Sequence, residues 1–283
     1  MKRFKTLFHI EMKKVWKSKS FWVSLLLGMI LAAMSALYMI ESYLEPLTSG
    51  EMEGVWGLQS ISLYNSWIGG EISSFGFTGF FYLLPLLAAL PYGWSYFQEK
   101  QSGYAGMIAM RAGRKNYFLA KFAATFLSGG LVIFIPLVVN LLAVACFVPA
   151  RLPLIIHRTY YGVEYGSMWA ELFYTHPLIF VFMYLVLDFV FAGFFACLCM
   201  TVAFFSRNSL AVILLPYLSI LFLHHCRLFT QYTNVDEISP LYYLHSTCLT
   251  NFVNGWIVLG EGVLLAVLTL GIVLGIGAKR EIL

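Results

Sequence analysis

Charge is scarce in this chain. Only 11% of its 283 residues are Asp, Glu, Lys or Arg, against about 25% in an ordinary soluble domain. Hydrophobic residues make up 60%, and the mean hydropathy is +0.79. A water-soluble fold of this length has too little interior to hide that much apolar surface. Other absences exclude chemistry. There is no GxxxxGK[ST], hence no loop to cradle nucleotide phosphates. There is no HExxH for a metalloprotease and no GxSxG for a serine hydrolase. Five cysteines occur without a CxxC pair, which removes zinc-ribbon and thioredoxin readings. Cys197 and Cys199 sit in an apolar run, where a thiol acts as a small hydrophobe. A Cys226–Cys248 disulfide is an open alternative to free thiols. No internal repeat, low-complexity tract or linker is visible, so the chain reads as one membrane domain.

Crossing about 30 Å of hydrocarbon at about 1.5 Å per residue takes about 20 apolar residues. Six stretches qualify, at about 21–40, 75–97, 117–148, 177–205, 210–226 and 255–277. The sequence therefore predicts an all-α polytopic fold. A cleaved leader is the alternative for the first stretch, but its apolar run is longer than the 7–15 residues usual there.

Six crossings put both termini on one side. Lys2, Arg3, Lys5, Lys13, Lys14, Lys17 and Lys19 precede the first span. Lys100, Arg111, Arg114, Lys115 and Lys121 follow the second, Arg207 joins the fourth and fifth, and Lys279 and Arg280 end the chain. Only Arg151, Arg158 and Arg227 fall on the other face. The positive-inside rule places the crowded face in the cytoplasm, and the net charge of +4 reads as membrane orientation rather than nucleic-acid affinity.

Three segments face the other way, at about 41–74, 149–176 and 227–254. Each is too long for a tight turn. They are rich in Trp56, Trp67, Tyr160, Tyr161, Tyr165, Trp169, Tyr174, Tyr232, Tyr242 and Tyr243. Amphipathic rings of this kind suit the headgroup level, so an aromatic belt is expected. A vestibule for an amphipathic substrate is the alternative.

Residues 1–20 form an amphipathic helix. At about 100° per residue, Phe4, Leu7, Phe8, Met12 and Val15 share one arc, and Arg3, Lys13, Lys14 and Lys17 oppose it. Such a helix lies in the membrane interface beside anionic lipid, or serves only as an orientation signal. The loop at 98–116 is also amphipathic. Tyr104, Met107 and Ile108 share a face if helical, and Arg111, Arg114 and Lys115 supply a basic remainder. That pattern suits docking into a groove of a soluble partner or lying on the lipid surface.

Glu99, then Gly103, a basic stretch at Arg111 and Arg114, and Lys121 at the start of the third span resemble the pattern of type-2 ABC transporter permeases. The shared topology covers the whole chain. The resemblance implies that Glu99, Gly103, Tyr104, Met107, Ile108, Arg111 and Arg114 belong to a coupling element. That element would touch a separate ATPase dimer, which would bind ATP and Mg²⁺; this chain would need no cofactor of its own. It also implies a second permease subunit, identical or not, and a bacterial plasma membrane. The implied substrate is a lipid, lipid-linked glycan, peptide or hydrophobic drug, with peptide-antibiotic export or immunity as one specific case.

Two acids stand inside apolar runs, Asp188 and Glu261, and Asn140 is a third intramembrane polar residue. Groups of this kind are expensive in lipid and point to function. Asp188 and Glu261 suggest proton coupling in a stand-alone secondary transporter. Alternatively they hydrogen-bond quietly to a neighbouring helix. The absence of an inverted repeat weighs against a secondary transporter, and the lack of a nucleophile–base or metal constellation weighs against a membrane enzyme. A metal site at His224, His225 and His245 has no supporting spacing. Gly271 and Gly275 carry a GxxxG spacing suited to helix packing or to a permease dimer.

Overall fold

The computed structural model describes residues 2–48, 60–157, 161–226, 238–247 and 252–279, and the side chains of all of these except 2, 3, 278 and 279. Among them there is no strand. Helix α1 spans Lys2–Lys17 and α2 spans Lys19–Thr48. The short α3 is Leu63–Ser66, α4 is Phe75–Ala89, α5 is Ser95–Gln101 and α6 is Tyr104–Ala112. Helix α7 runs Arg114–Ala145, α8 Ala170–Thr175, α9 Pro177–Ala203, α10 Ser209–Cys226, α11 Pro240–Tyr243 and α12 Gly255–Lys279.

Five of these, α2, α7, α9, α10 and α12, are long and apolar enough to cross a membrane. The chain is therefore an all-helical, multi-pass membrane protein. The remaining apolar stretch does not form the single helix expected over 75–97. Helix α4 stops at Ala89 after 15 residues, the chain turns through Leu90–Trp94, and α5 begins at Ser95. Pro91 has no N–H to continue the ladder. Gly93 lies where any Cβ would meet the Ala89 carbonyl at 2.6 Å and the Cys199 Cβ at 2.9 Å. The turn is thus pressed against α9 and admits no side chain at Gly93.

Helix α4 is short at its other end because residues 60–74 fold inward beside it. Glu71 is buried, and its carboxylate accepts hydrogen bonds from Ser35 Oγ (2.8 Å) on α2, from the Ser73 and Ser74 amides (2.7 and 2.9 Å), and from Ser74 Oγ. Ser74 Oγ in turn accepts from Phe77 N, capping α4. Asn140 on α7 fixes the same segment. Its Oδ1 accepts from Ile68 N and its Nδ2 donates to Ala32 O, both at 2.8 Å. Helices α7 and α9 pack closely, since Gly129 would bring a Cβ to 2.5 Å from Ala196 Cβ and Gly193 one to 2.6 Å from Phe126, and α4 packs as closely on α2, where a Cβ at Gly76 would meet Leu31 O at 2.4 Å. Small residues let these backbones approach. Gly271 and Gly275, by contrast, have nothing within 4 Å of a built Cβ, so their spacing packs nothing in this chain.

The bundle has two ends. One, the terminal end, holds α1, α5, α6 and the last described turn of α12, where Gly277 meets Phe118; the other holds the long connections. At this far end the connections are knitted together. Ser246 N and Thr247 Oγ1 donate to Gly69 O and Gly70 O at 2.7 and 2.6 Å, Leu63 N to Pro149 O at 3.1 Å, and Met168 N to Val253 O at 2.8 Å. Trp67, Tyr161, Tyr242 and Tyr243 are buried in this cap. They form a core of edge-on rings, such as Tyr161 on Phe173 and Tyr243 on Phe191. The expected belt is therefore only partly a belt: among its described members Tyr165 is exposed and Trp169 and Tyr174 are half-buried. Trp56, Tyr160, Tyr232 and Cys248 lie outside the described residues.

Candidate functional site

At the terminal end, two carboxylates, two ammonium groups and two phenols converge below α6. Glu11 and Lys14 come from α1, Tyr92 from the turn after α4, Glu99 from α5, and Tyr117 and Lys121 from α7. Lys121 is fully buried. Its Nζ lies 2.8 Å from Glu11 Oε2 and 2.9 Å from Glu99 Oε1. Lys14 Nζ lies 2.8 Å from Glu11 Oε1 and 2.8 Å from Glu99 Oε1. Each carboxylate therefore bridges both lysines. The remaining acceptor positions are filled by hydroxyls: Tyr92 donates to Glu11 Oε2 and Tyr117 to Glu99 Oε2, both at 2.6 Å. Lys121 also donates to Tyr92 Oη at 3.1 Å and lies 4.4 Å from the centre of that ring.

The cluster is neutral overall and closed. That matters because a buried ion pair repays its desolvation only when its geometry is good and its other donors and acceptors are satisfied. The electrostatics follow. Burial alone would raise the Glu11 carboxyl, but Lys121, together with the hydrogen bonds from Lys14 and Tyr92, overcomes it and holds the group below its ordinary range. Burial would lower Lys14, yet the hydrogen bonds and charges of Glu11 and Glu99 raise it.

Helix α6 sits on this cluster. It is bracketed by Gly103 (φ 71°) and Gly113 (φ 88°), two positions in the left-handed region that glycine occupies without strain. Ala105 and Ala109 form its buried face, and Ile108 packs partly against the interior. Met107 (51% exposed), Met110 (77%) and Arg111 face outward. This corrects the expected Tyr104–Met107–Ile108 face: Tyr104 turns toward the cluster, its ring 4.7 Å from Lys14 Nζ, and Met110 takes its place on the outer side. Arg114 begins α7 and is half-buried. Lys100 on α5 donates to the carbonyls of Ala203 and Phe204 at 3.2 and 3.0 Å, which satisfies the end of α9 and suits its dipole. The α5–α6 unit is thus tied to α1, α7 and α9 together.

Sequence reasoning brought Glu99 and Lys121 into one motif but missed Glu11, Tyr92 and Tyr117. Lys14, expected opposite the apolar arc beside anionic lipid, instead points into the cluster. The signal for Glu11 was there: at about 100° per residue it falls between Leu7 and Phe4, in the middle of the apolar arc. An acid there needs an internal partner. Lys121 lies in α7 with apolar residues on either side.

The other candidates are not gathered here. Asn140 is consumed in pinning residues 60–74. Glu261 accepts a hydrogen bond from Tyr243 Oη. Asp188 is fully buried in α9, and neither carboxylate oxygen has a hydrogen-bond partner. Among the described residues no group of three or more His, Cys, Asp or Glu could hold a metal ion. Compared with family models, with curated proteins and with solved structures, the chain matches none.

Proposed function

We propose that the chain is the membrane-spanning permease subunit of an ABC-type transporter, with six crossings and both termini in the cytoplasm. The observation that carries the reading is α6: a short helix with Met107, Met110 and Arg111 exposed, braced from beneath by a closed charge cluster. Unbranched, polarisable Met side chains suit a docking surface, and bracing lets a push on α6 reach α1, α7 and α9 rather than dissipate in a loop. A separate P-loop ATPase dimer would supply ATP hydrolysis with Mg²⁺, and a second permease subunit would complete the pathway. The sixth crossing is α4 with its following turn. Exposed Lys13, Lys17, Arg111 and Lys115 on the terminal end support a cytoplasmic orientation. The substrate is a lipid, peptide or other amphipathic molecule.

Affinity purification of the tagged chain from its native membrane tests this. A stoichiometric P-loop ATPase is expected, and it should be lost in Met107→Asp/Met110→Asp while the chain itself remains folded. Purification of the wild-type chain alone under gentle conditions would refute it. A proton-driven transporter is the second reading, favoured by the unpartnered Asp188. It requires uptake or export by the purified chain under a pH gradient, abolished by Asp188→Asn.

A further inference from the structure

Helix α12 packs on α7 at the terminal end and borders a crevice with α9 at the far end. At the terminal end a Cβ at Gly277 would meet the Phe118 ring at 2.9 Å, and Val273 is fully buried. Toward the far end, α12 presents Gly262, whose Cβ would meet only Phe191 at 3.7 Å, and Ala266. Between them and Leu187, Val190 and Phe194 of α9 opens a crevice of about 1220 Å³. No charged residue lines it. Its mouth is flanked by Trp256 (80% exposed) and Tyr165 (67% exposed), aromatic residues of the kind found at the headgroup level.

A second, smaller cavity of about 430 Å³ continues from the first, and the two share Tyr165, Gly166 and Trp169. Its one charged lining residue is Glu171, exposed at the first turn of α8. The arrangement is an uncharged trough at hydrocarbon depth leading to an aromatic rim and then to a single carboxylate. Aromatic faces and a carboxylate at its mouth complement a cationic amine.

We propose that this crevice is a binding site for a bilayer lipid with an amine headgroup: its acyl chain lies between α9 and α12, and its ammonium group sits at Glu171, Tyr165 and Trp169. The site rests only on the chain being a membrane protein and stands whether or not an ATPase drives it. It lies at the opposite end of the molecule from α6, so the two readings fail separately.

The test uses the full-length chain in vesicles containing a phosphatidylethanolamine with a photoactivatable diazirine in its acyl chain, followed by peptide mapping. Labelling is expected to concentrate on 187–194 and 255–266 over the lipid-exposed α10 segment 214–223. Gly262→Leu should fill the trough and reduce that labelling about tenfold, the loss of about 1.4 kcal/mol of binding. Ala266→Phe makes the same test one turn on should Gly262→Leu fail to fold. Exchanging the probe for the phosphatidylglycerol analogue should lower labelling about two- to fivefold, the size of an exposed ion pair. Glu171→Gln should erase that difference. Labelling spread evenly over α10 and α12, or unchanged by both space-filling variants, would overturn the site. A headgroup preference that survives Glu171→Gln would overturn the assigned amine contact. So would loss of a dimer on Gly262→Leu without specific labelling, which would make the trough an interface between copies.

Discussion

Lys121→Met removes the charge at the centre of the terminal cluster while keeping an unbranched apolar stem of similar length. In the wild type, Lys121 contributes ion pairs to Glu11 and Glu99 at 2.8 and 2.9 Å from a fully buried position. After the substitution two carboxylates share Lys14, whose side chain is 33% exposed and so partly screened. Breaking a buried pair by removing one partner costs about 3–5 kcal/mol, because a buried charge is left uncompensated. Unfolding of the full-length chain by a denaturing detergent in mixed micelles reads this directly. The companion variant is Lys121→Met/Glu99→Gln, which restores neutrality with Glu11 and Lys14 still paired. Groups within one network couple by about 0.5–3 kcal/mol, so Glu99→Gln should cost less in the Lys121→Met background than in the wild type by about that amount. If Lys121→Met loses less than about 1 kcal/mol, which is the range of an exposed pair, or if Glu99→Gln costs the same in both backgrounds, the closed-cluster account is refuted.

Two further outcomes follow from the same geometry. The Glu11 carboxyl lies below its ordinary value of 4.5, so its contribution to stability is present above that value and is lost as pH falls through the lower folded value. Lys14 lies above its ordinary value of 10.5, so its contribution is present below 10.5 and is lost as pH rises through the higher folded value. The contribution of these two groups should thus be level between those two ordinary values and fall on either side, so Lys14→Gln should flatten the alkaline limb of the stability profile and Glu11→Gln the acid limb; limbs that these variants leave unchanged would contradict this. At the far end, Asn140→Leu leaves the Ile68 N–H unsatisfied in a buried site, at about 1–3 kcal/mol, and hydrogen exchange should quicken at Ile68 before it does in α7.

Much of the architecture was legible in the sequence. Five apolar runs of sufficient length, three of them holding one charged residue (Lys121, Asp188 or Glu261), became long helices, four within about three residues of their expected ends and α2 eight residues beyond its own, because in a bilayer the backbone has no other partner for its hydrogen bonds. The motif that held both Glu99 and Lys121 named two residues whose side chains meet at 2.9 Å. The second run was misread because composition cannot tell a helix pressed against a turn from a continuous one: Pro91 and the wedge of Gly93 against α9 decided it, and only packing shows that wedge. Likewise, Met110 rather than Ile108 faces outward on α6 because Ala105 and Ala109 fix its rotation against α7. Hydropathy settles which segments leave water. It does not settle which polar atoms meet once the helices cross, since Glu11, Glu99 and Lys121 are separated by up to 110 positions and acquire their meaning only where α1, α5 and α7 converge.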